Sequence, residues 1–187
     1  MRTASALLTA GLLLAAAPAP AQDIDYDDSR IGFTFKQMNV PVEGGFKRFR
    51  AQVHFDPARP EQSRAEVEVD LASIDTGSSD GDTESQRRAW LDTATHPTAK
   101  FVSTAVRRVG PDRYEARGTM TVKGRAHELS APFEVCRAGD RVVFEGAFTL
   151  KRLDFAIGEG QWADTDTVAD EVQVRFHIAQ AATGPKP

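Results

Sequence analysis

Apolar and polar residues alternate with a period of two through most of this chain. Ile31, Phe33 and Phe35 share one phase, as do Ala51, Val53 and Phe55, while Ala65, Val67, Val69 and Leu71 interleave with Glu66, Glu68 and Asp70. Successive side chains of a strand point to opposite faces, so this pattern predicts antiparallel strands with one face buried and one wet. Eight such segments follow one another, at 31–37, 46–55, 63–74, 99–107, 113–122, 125–135, 141–152 and 171–179. Turn chemistry separates several of them, at Asp56-Pro57, Gly110-Pro111-Asp112, Lys123-Gly124 and Ala138-Gly139-Asp140. Two connections are longer. One spans 75–98, with a short helix expected near 83–91, and the other spans 153–170. Loops of that length in a compact domain usually carry function.

Eight sequential strands in an open sheet would leave two exposed edges, and closure into an up-and-down barrel removes them. A sandwich is the rival arrangement. The interior of an eight-stranded barrel is just wide enough to be packed with side chains or to hold one slender ligand, and strands of this length make it about 25 Å tall. The residues in the inward phase are Phe33 and Phe35, then Val53, Phe55, Val67 and Val69, then Phe101 and Met120, then Phe144, Phe148 and Leu150. Almost all are apolar, so a hollow interior would accept hydrocarbon and a filled one would be an ordinary core. Trp90 and Trp162 each stand in one of the two long loops, where a large ring either closes over a cavity or packs on the barrel end.

The first residues add a destination. Arg2 precedes an apolar run from Ala4 to Ala17, which leads to Ala19-Pro20-Ala21 before Gln22. That is the form of a secretory signal peptide with a small-x-small cleavage site, giving residues 1–21 as signal, 22–180 as the barrel and 181–187 as a disordered tail. The apolar run is shorter than the roughly 20 residues a spanning helix needs, and no Cys stands at the cleavage point, so a periplasmic protein with no stable membrane anchor is expected. Cys136 is the sole cysteine, so the fold rests on its apolar core with no internal disulfide. The formal charge is −4 for 187 residues, and no broad positive field is present to hold nucleic acid.

Chemistry is mostly missing from the motifs. His54, His96, His127 and His177 are scattered one to a segment, without metal-ligand spacing. No Gly-rich phosphate loop, Gly-x-Ser-x-Gly elbow or Ser-x-x-Lys motif is present. Asp80-Gly81-Asp82 with Glu84, and Asp164-Thr165-Asp166 with Asp170, are fragments of a calcium loop without its full ligand spacing. Glu159 and Asp164 could be drawn as a glycosidase pair, but spacing does not single them out. Neither a metal nor a cofactor is expected, and no catalytic residue is assigned.

At Phe55-Asp56-Pro57, Ala72-Ser73-Ile74-Asp75-Thr76-Gly77, Trp90-Leu91-Asp92 with Pro97, Phe101 and Ser103, and Lys151-Arg152-Leu153-Asp154-Phe155 with Ile157-Gly158, the chain resembles the YceI family of exported polyisoprenoid-binding proteins. Gly45-Phe46 with Phe49, Thr121-Val122-Lys123-Gly124 and Asp170-Glu171-Val172 extend the likeness over almost the whole of 24–179. The resemblance implies an all-β, eight-stranded antiparallel lipocalin-like barrel whose apolar channel holds an isoprenoid lipid or similar amphiphile, with no catalytic constellation. The resulting expectation is a soluble periplasmic protein that carries, stores or sequesters a quinone or polyprenyl lipid. Its alternatives are an isomerase or hydrolase working at the channel mouth and a filled structural or inhibitor barrel, and a homodimer is compatible with all three. Arg152 ends the strand that carries Phe148 and Leu150. It is therefore either a fork for a phosphate or carbonyl head group or the structural partner of Asp154 or Asp170.

Overall fold

The computed structural model describes residues 23–181. Hydrogen bonding within them defines ten strands, β1 (Ile24–Gln37), β2 (Val40–Phe46), β3 (Phe49–His54), β4 (Arg64–Asp70), β5 (Ile74–Asp75), β6 (Thr98–Gly110), β7 (Arg113–Val122), β8 (Arg125–Ala138), β9 (Arg141–Lys151) and β10 (Glu171–Ala181). All pairings are antiparallel, in the order β3-β4-β6-β7-β8-β9-β10-β1-β2-β5. The expected signal segment 1–21 and residues 182–187 of the expected tail lie outside the described residues, while Ala181, assigned to that tail, ends β10.

The two ends of this order are joined by a corner. β2 runs into β3 through Lys47 and Arg48, and β4 runs into β5 through a 3-10 turn at Leu71–Ser73. Lys47 N donates to Ser73 O at 3.0 Å, Arg48 N to Ser73 Oγ at 3.0 Å and Asp70 N to Arg48 O at 3.1 Å. β2 with β3 is thus one bent strand and β4 with β5 its bent partner, so eight strands close the lipocalin-like barrel expected from the sequence. Ser73 is a buried polar residue because its hydroxyl serves this corner, donating also to Asp70 O at 2.6 Å.

Two placements differ from the sequence reading. β2 was not expected, because Pro41, Gly44 and Gly45 depress strand propensity. It forms because Met38 and Asn39, at φ 47° and 64°, make a two-residue turn whose twist suits a hairpin, pairing Gln37 with Val40. The helix, α1 (Ser79–Gln86), starts four residues earlier than predicted, where Ser78 Oγ accepts from Gly81 N at 3.1 Å and Asp80 and Asp82 occupy the first turn.

The inward faces match across the ladder. Val172 pairs with Leu150, Val174 with Phe148, Phe176 with Gly146 and Ile178 with Phe144, so one register brings two apolar phases together. Outward positions carry ion pairs such as Arg107–Glu115 at 3.0 Å and Arg175–Glu43 at 3.2 Å. Exposed pairs of this kind each contribute at most about 1 kcal/mol.

Candidate functional site

The barrel is hollow. Its lumen encloses a cavity of about 480 Å³, within the range of small-molecule sites. Each residue assigned to the inward phase lies on its wall: Phe33 and Phe35 from β1, Val53 from β3 with Phe55 just after it, Val67 and Val69 from β4, Phe101 from β6, Met120 from β7, and Phe144, Phe148 and Leu150 from β9. Trp90, Trp162 and Arg152 also border it. Sequence reasoning missed the contribution of β10, Val172, Val174 and Phe176, although these alternate as regularly as the rest. It also missed Leu91, Ile157 and Val168, which lie in loops without period and carry no local signal.

At the end near the 55–63 connection aromatic rings cluster, and the cavity lining reaches His54, Ser63 and Arg64 there. Phe55 meets Tyr114 edge-on with centroids 4.9 Å apart and Phe144 at 5.4 Å, while Tyr114 stacks on Phe133 at 5.5 Å. Tyr114 is 1% exposed, and its hydroxyl accepts from Arg108 Nη2 at 3.1 Å, which satisfies the polar tip of a buried ring. Gln180, also fully buried, donates from Nε2 to Val53 O at 2.9 Å.

The opposite end is the mouth, built by the two long loops. Gly158 N and Glu159 N both donate to Ala89 O at 2.8 Å, stitching one loop to the other. This brings Trp90 and Trp162 together, with ring centroids 5.5 Å apart. Lys123, on the β7–β8 turn, donates to Ala156 O at 2.7 Å and Glu159 Oε2 at 2.9 Å. Its ammonium holds the Glu159 carboxyl below the usual carboxylate value. Gln37, Thr76, Ser78, Glu84 and Ser85 supply the polar part of the rim. Asp82 accepts from Thr76 N at 2.6 Å and Thr76 Oγ1 at 2.8 Å, so this acid of the calcium-like fragment pins α1 to the end of β5.

Arg152 is 1% exposed and organises the mouth. Nε donates to Ala169 O at 3.0 Å, Nη1 to Ile157 O at 2.8 Å and Gly158 O at 3.0 Å, and Nη2 to Trp162 O at 2.8 Å and Val168 O at 2.7 Å. A guanidinium has five N–H groups, and all are spent on backbone carbonyls. The expectation of a head-group fork is therefore corrected: Arg152 borders the cavity but has no donor left to offer. The expected ion pair also takes another form: Asp170 Oδ1 accepts from Leu153 N at 3.0 Å, Asp170 O accepts from Arg152 N at 2.8 Å, and the carboxylate acts on the guanidinium through its charge alone. Burial lowers the guanidinium below its ordinary value, and Asp170 partly opposes that. Gly158 stands where a Cβ would collide with Arg152 Nη1 and lie 3.2 Å from Trp90 Cζ3, and its φ of 78° suits glycine.

A family model described as a YceI-like domain matches residues 23–180. A UPF0312 protein of Pseudomonas syringae pv. tomato is 33% identical over 184 residues, covering 90% of this chain and 93% of its own length. The crystal structure of BcnA from Burkholderia cenocepacia superposes with a TM-score of 0.82 at 41% identity, covering 84% of this chain and 99% of that one. A polyisoprenoid binding domain from Saccharophagus degradans, described as implicated in plant cell wall breakdown, has a TM-score of 0.68 at 16% identity, covering 87% of this chain and 98% of its own, and so shares the fold.

Proposed function

This chain belongs to the YceI-like domain family, and from that premise we propose that it is a soluble, non-catalytic periplasmic protein that takes the tail of a long isoprenoid lipid into its barrel. The observation that carries this reading is the hollow apolar lumen of about 480 Å³, walled by Phe, Val, Leu and Ile and open toward a polar rim. Each methylene moved from water onto such a wall contributes about 0.8 kcal/mol, so shape and burial supply affinity without specific hydrogen bonds along the tail. The sum does not convert directly to a dissociation constant, because ordering a flexible chain costs free energy. A filled structural barrel would not need such a lumen.

The rim favours an uncharged head group such as a quinone over a phosphate. Of the charged residues that line the cavity, Arg152 is committed to carbonyls, Glu84 pairs with Arg87 at 3.0 Å, and Arg64, at the other end, donates to Glu61 O and Ser63 O. The test is mass spectrometry of lipid extracted from mature protein purified from the periplasm. A neutral isoprenoid in stoichiometric amount is the expected result, and protein that emerges empty from cells rich in such lipids would overturn the reading. The same preparation should begin at Gln22, and an uncleaved membrane-bound product would overturn the periplasmic assignment.

A further inference from the structure

The ladder does not close the barrel along its whole height. β1 pairs with β2 only from Ile31, opposite Phe46, up to the mouth, and β3, which continues β2 away from the mouth, pairs with β4 alone. Among the described residues, no strand pairing joins β3 to β1 or to β10. The first half of β1 bulges instead. Its register on β10 shifts between Asp25 and Arg30, Asp25 Oδ1 accepts from Asp27 N at 3.2 Å and Asp28 N at 3.3 Å, and Ser29 Oγ donates to Asp25 O at 2.6 Å. A bulge ends pairing in this way. The backbone groups of a strand edge still need partners, and side chains supply them here. Ala51 N donates to Tyr26 Oη at 3.3 Å and Gln180 Nε2 donates to Val53 O at 2.9 Å, while the rings of Tyr26 and Phe49 meet edge-on at 5.5 Å. Behind this seam the path inward is apolar. Ile31, Val53 and Ile178, one each from β1, β3 and β10, line the lumen, and Ile24 and Phe49 pack on the same cluster.

We infer that this seam, between β3 and the first half of β1, is the side entrance by which an isoprenoid tail passes into and out of the lumen, with Tyr26 as its latch. This rests on the binding reading above and adds the route to it. The mouth is fixed in width. Its two loops are stitched together at Ala89 O and anchored by the five donors of the buried Arg152, so widening it strips several buried carbonyls of charged partners at once. The seam is held by two neutral side-chain hydrogen bonds and one ring contact. Tyr26 is 49% exposed, so water takes over its hydroxyl when the side chain turns outward. Local opening draws on the parts of a fold with the fewest buried bonds, and around this barrel that part is the seam. Threading a branched tail end-on moves its whole length past one rigid rim, whereas parting the seam admits it along its side.

The experiment follows radiolabelled geranylgeraniol, delivered on cyclodextrin and withdrawn by excess cyclodextrin, into and out of delipidated mature protein. Tyr26→Phe keeps the ring but removes the acceptor of Ala51 N, so uptake and release should both quicken about fivefold while the dissociation constant stays nearly unchanged. A second protein carries Asp27→Cys and Arg50→Cys, at exposed positions on the two lips, in a Cys136→Ser background that removes the free thiol. Joining its lips with a bismaleimide linker that contains a cleavable disulfide should slow both rates about tenfold or more, and cutting the linker should restore them. Tyr26→Phe decides the matter if the bridge does not form. A purely structural Tyr26 would lower the unfolding midpoint of Tyr26→Phe and leave both rates at wild-type values. That result, or a bridged protein that loads as fast as the cut one, overturns the seam as the route while leaving lipid binding intact. Wild-type protein that takes up no geranylgeraniol overturns the binding reading and this one with it.

Discussion

Nη2 of Arg152 donates to the carbonyl oxygen of Trp162 at 2.8 Å, so a buried cation fixes one of the two indoles at the mouth from behind. The same guanidinium lies 5.9 Å from the ring centroid of Trp90. Its work is to hold the 153–170 loop in place.

Replacing Arg152 by Gln should therefore destabilise the empty protein by about 3 kcal/mol or more, because several buried carbonyls lose their donors at once. Arg152→Lys should rescue little, since an ammonium lacks the planar fork that reaches five acceptors. Urea unfolding followed by tryptophan fluorescence measures this. For either variant, the affinity ratio between an isoprenyl phosphate and the matching alcohol should stay as in wild type. Selective loss of the phosphate would return Arg152 to the head-group site.

Phe148 faces the lumen opposite Val174. A carboxylate there would be surrounded by apolar side chains, and burying it unpaired is costly to both the empty barrel and the lipid. Phe148→Asp should cut lipid retained through purification by more than about tenfold. A folded variant that carries its full complement would show that the tail does not run past this position.

Acid should weaken the mouth before the walls. Glu159 is held below its ordinary value of 4.5 by hydrogen bonding to Lys123, and Asp75 below 3.8 by hydrogen bonding to Lys47. A carboxyl whose folded value is depressed contributes stability above its unfolded value and loses it as pH falls through the folded one. Melting temperature should thus change little from these groups between neutral pH and about pH 5, then fall. Glu159→Gln should melt lower than wild type at neutral pH and converge on it in acid. Parallel curves at all pH values would remove the Lys123–Glu159 contact from the account. Lys47 is raised above 10.5 by the same Asp75, so its share is present below that value and lost at more alkaline pH.

Met38 occupies the left-handed region at φ 47° and is 75% exposed, so it has strain without compensating burial. Asn tolerates that region and is favoured in such hairpin turns. Met38→Asn should stabilise the barrel by up to about 1 kcal/mol in chemical denaturation. A loss of stability would mean that the Met38 side chain packs on the rim in solution.

Much of this protein is written in local order. Val67 and Val69 between Glu66 and Glu68, or Phe144, Phe148 and Leu150 along one strand, declare their inward face through nearest neighbours alone, because a strand alternates whatever it pairs with. The main strands and the apolar wall were therefore legible in the chain. β2 was not, since Pro41, Gly44 and Gly45 speak against a strand until β1 and β5 supply its partners. Tertiary structure alone decided that Ser73 would close the corner, that Trp90 would meet Trp162, and that the donors of Arg152 would be used up by carbonyls up to 17 residues away. It also decided that the Phe101 ring would lie against Gly118. These relations join residues by position in space, between segments with no periodicity or across strands whose register only the closed sheet defines. The alternation of a single strand holds no record of which neighbour will lie beside it.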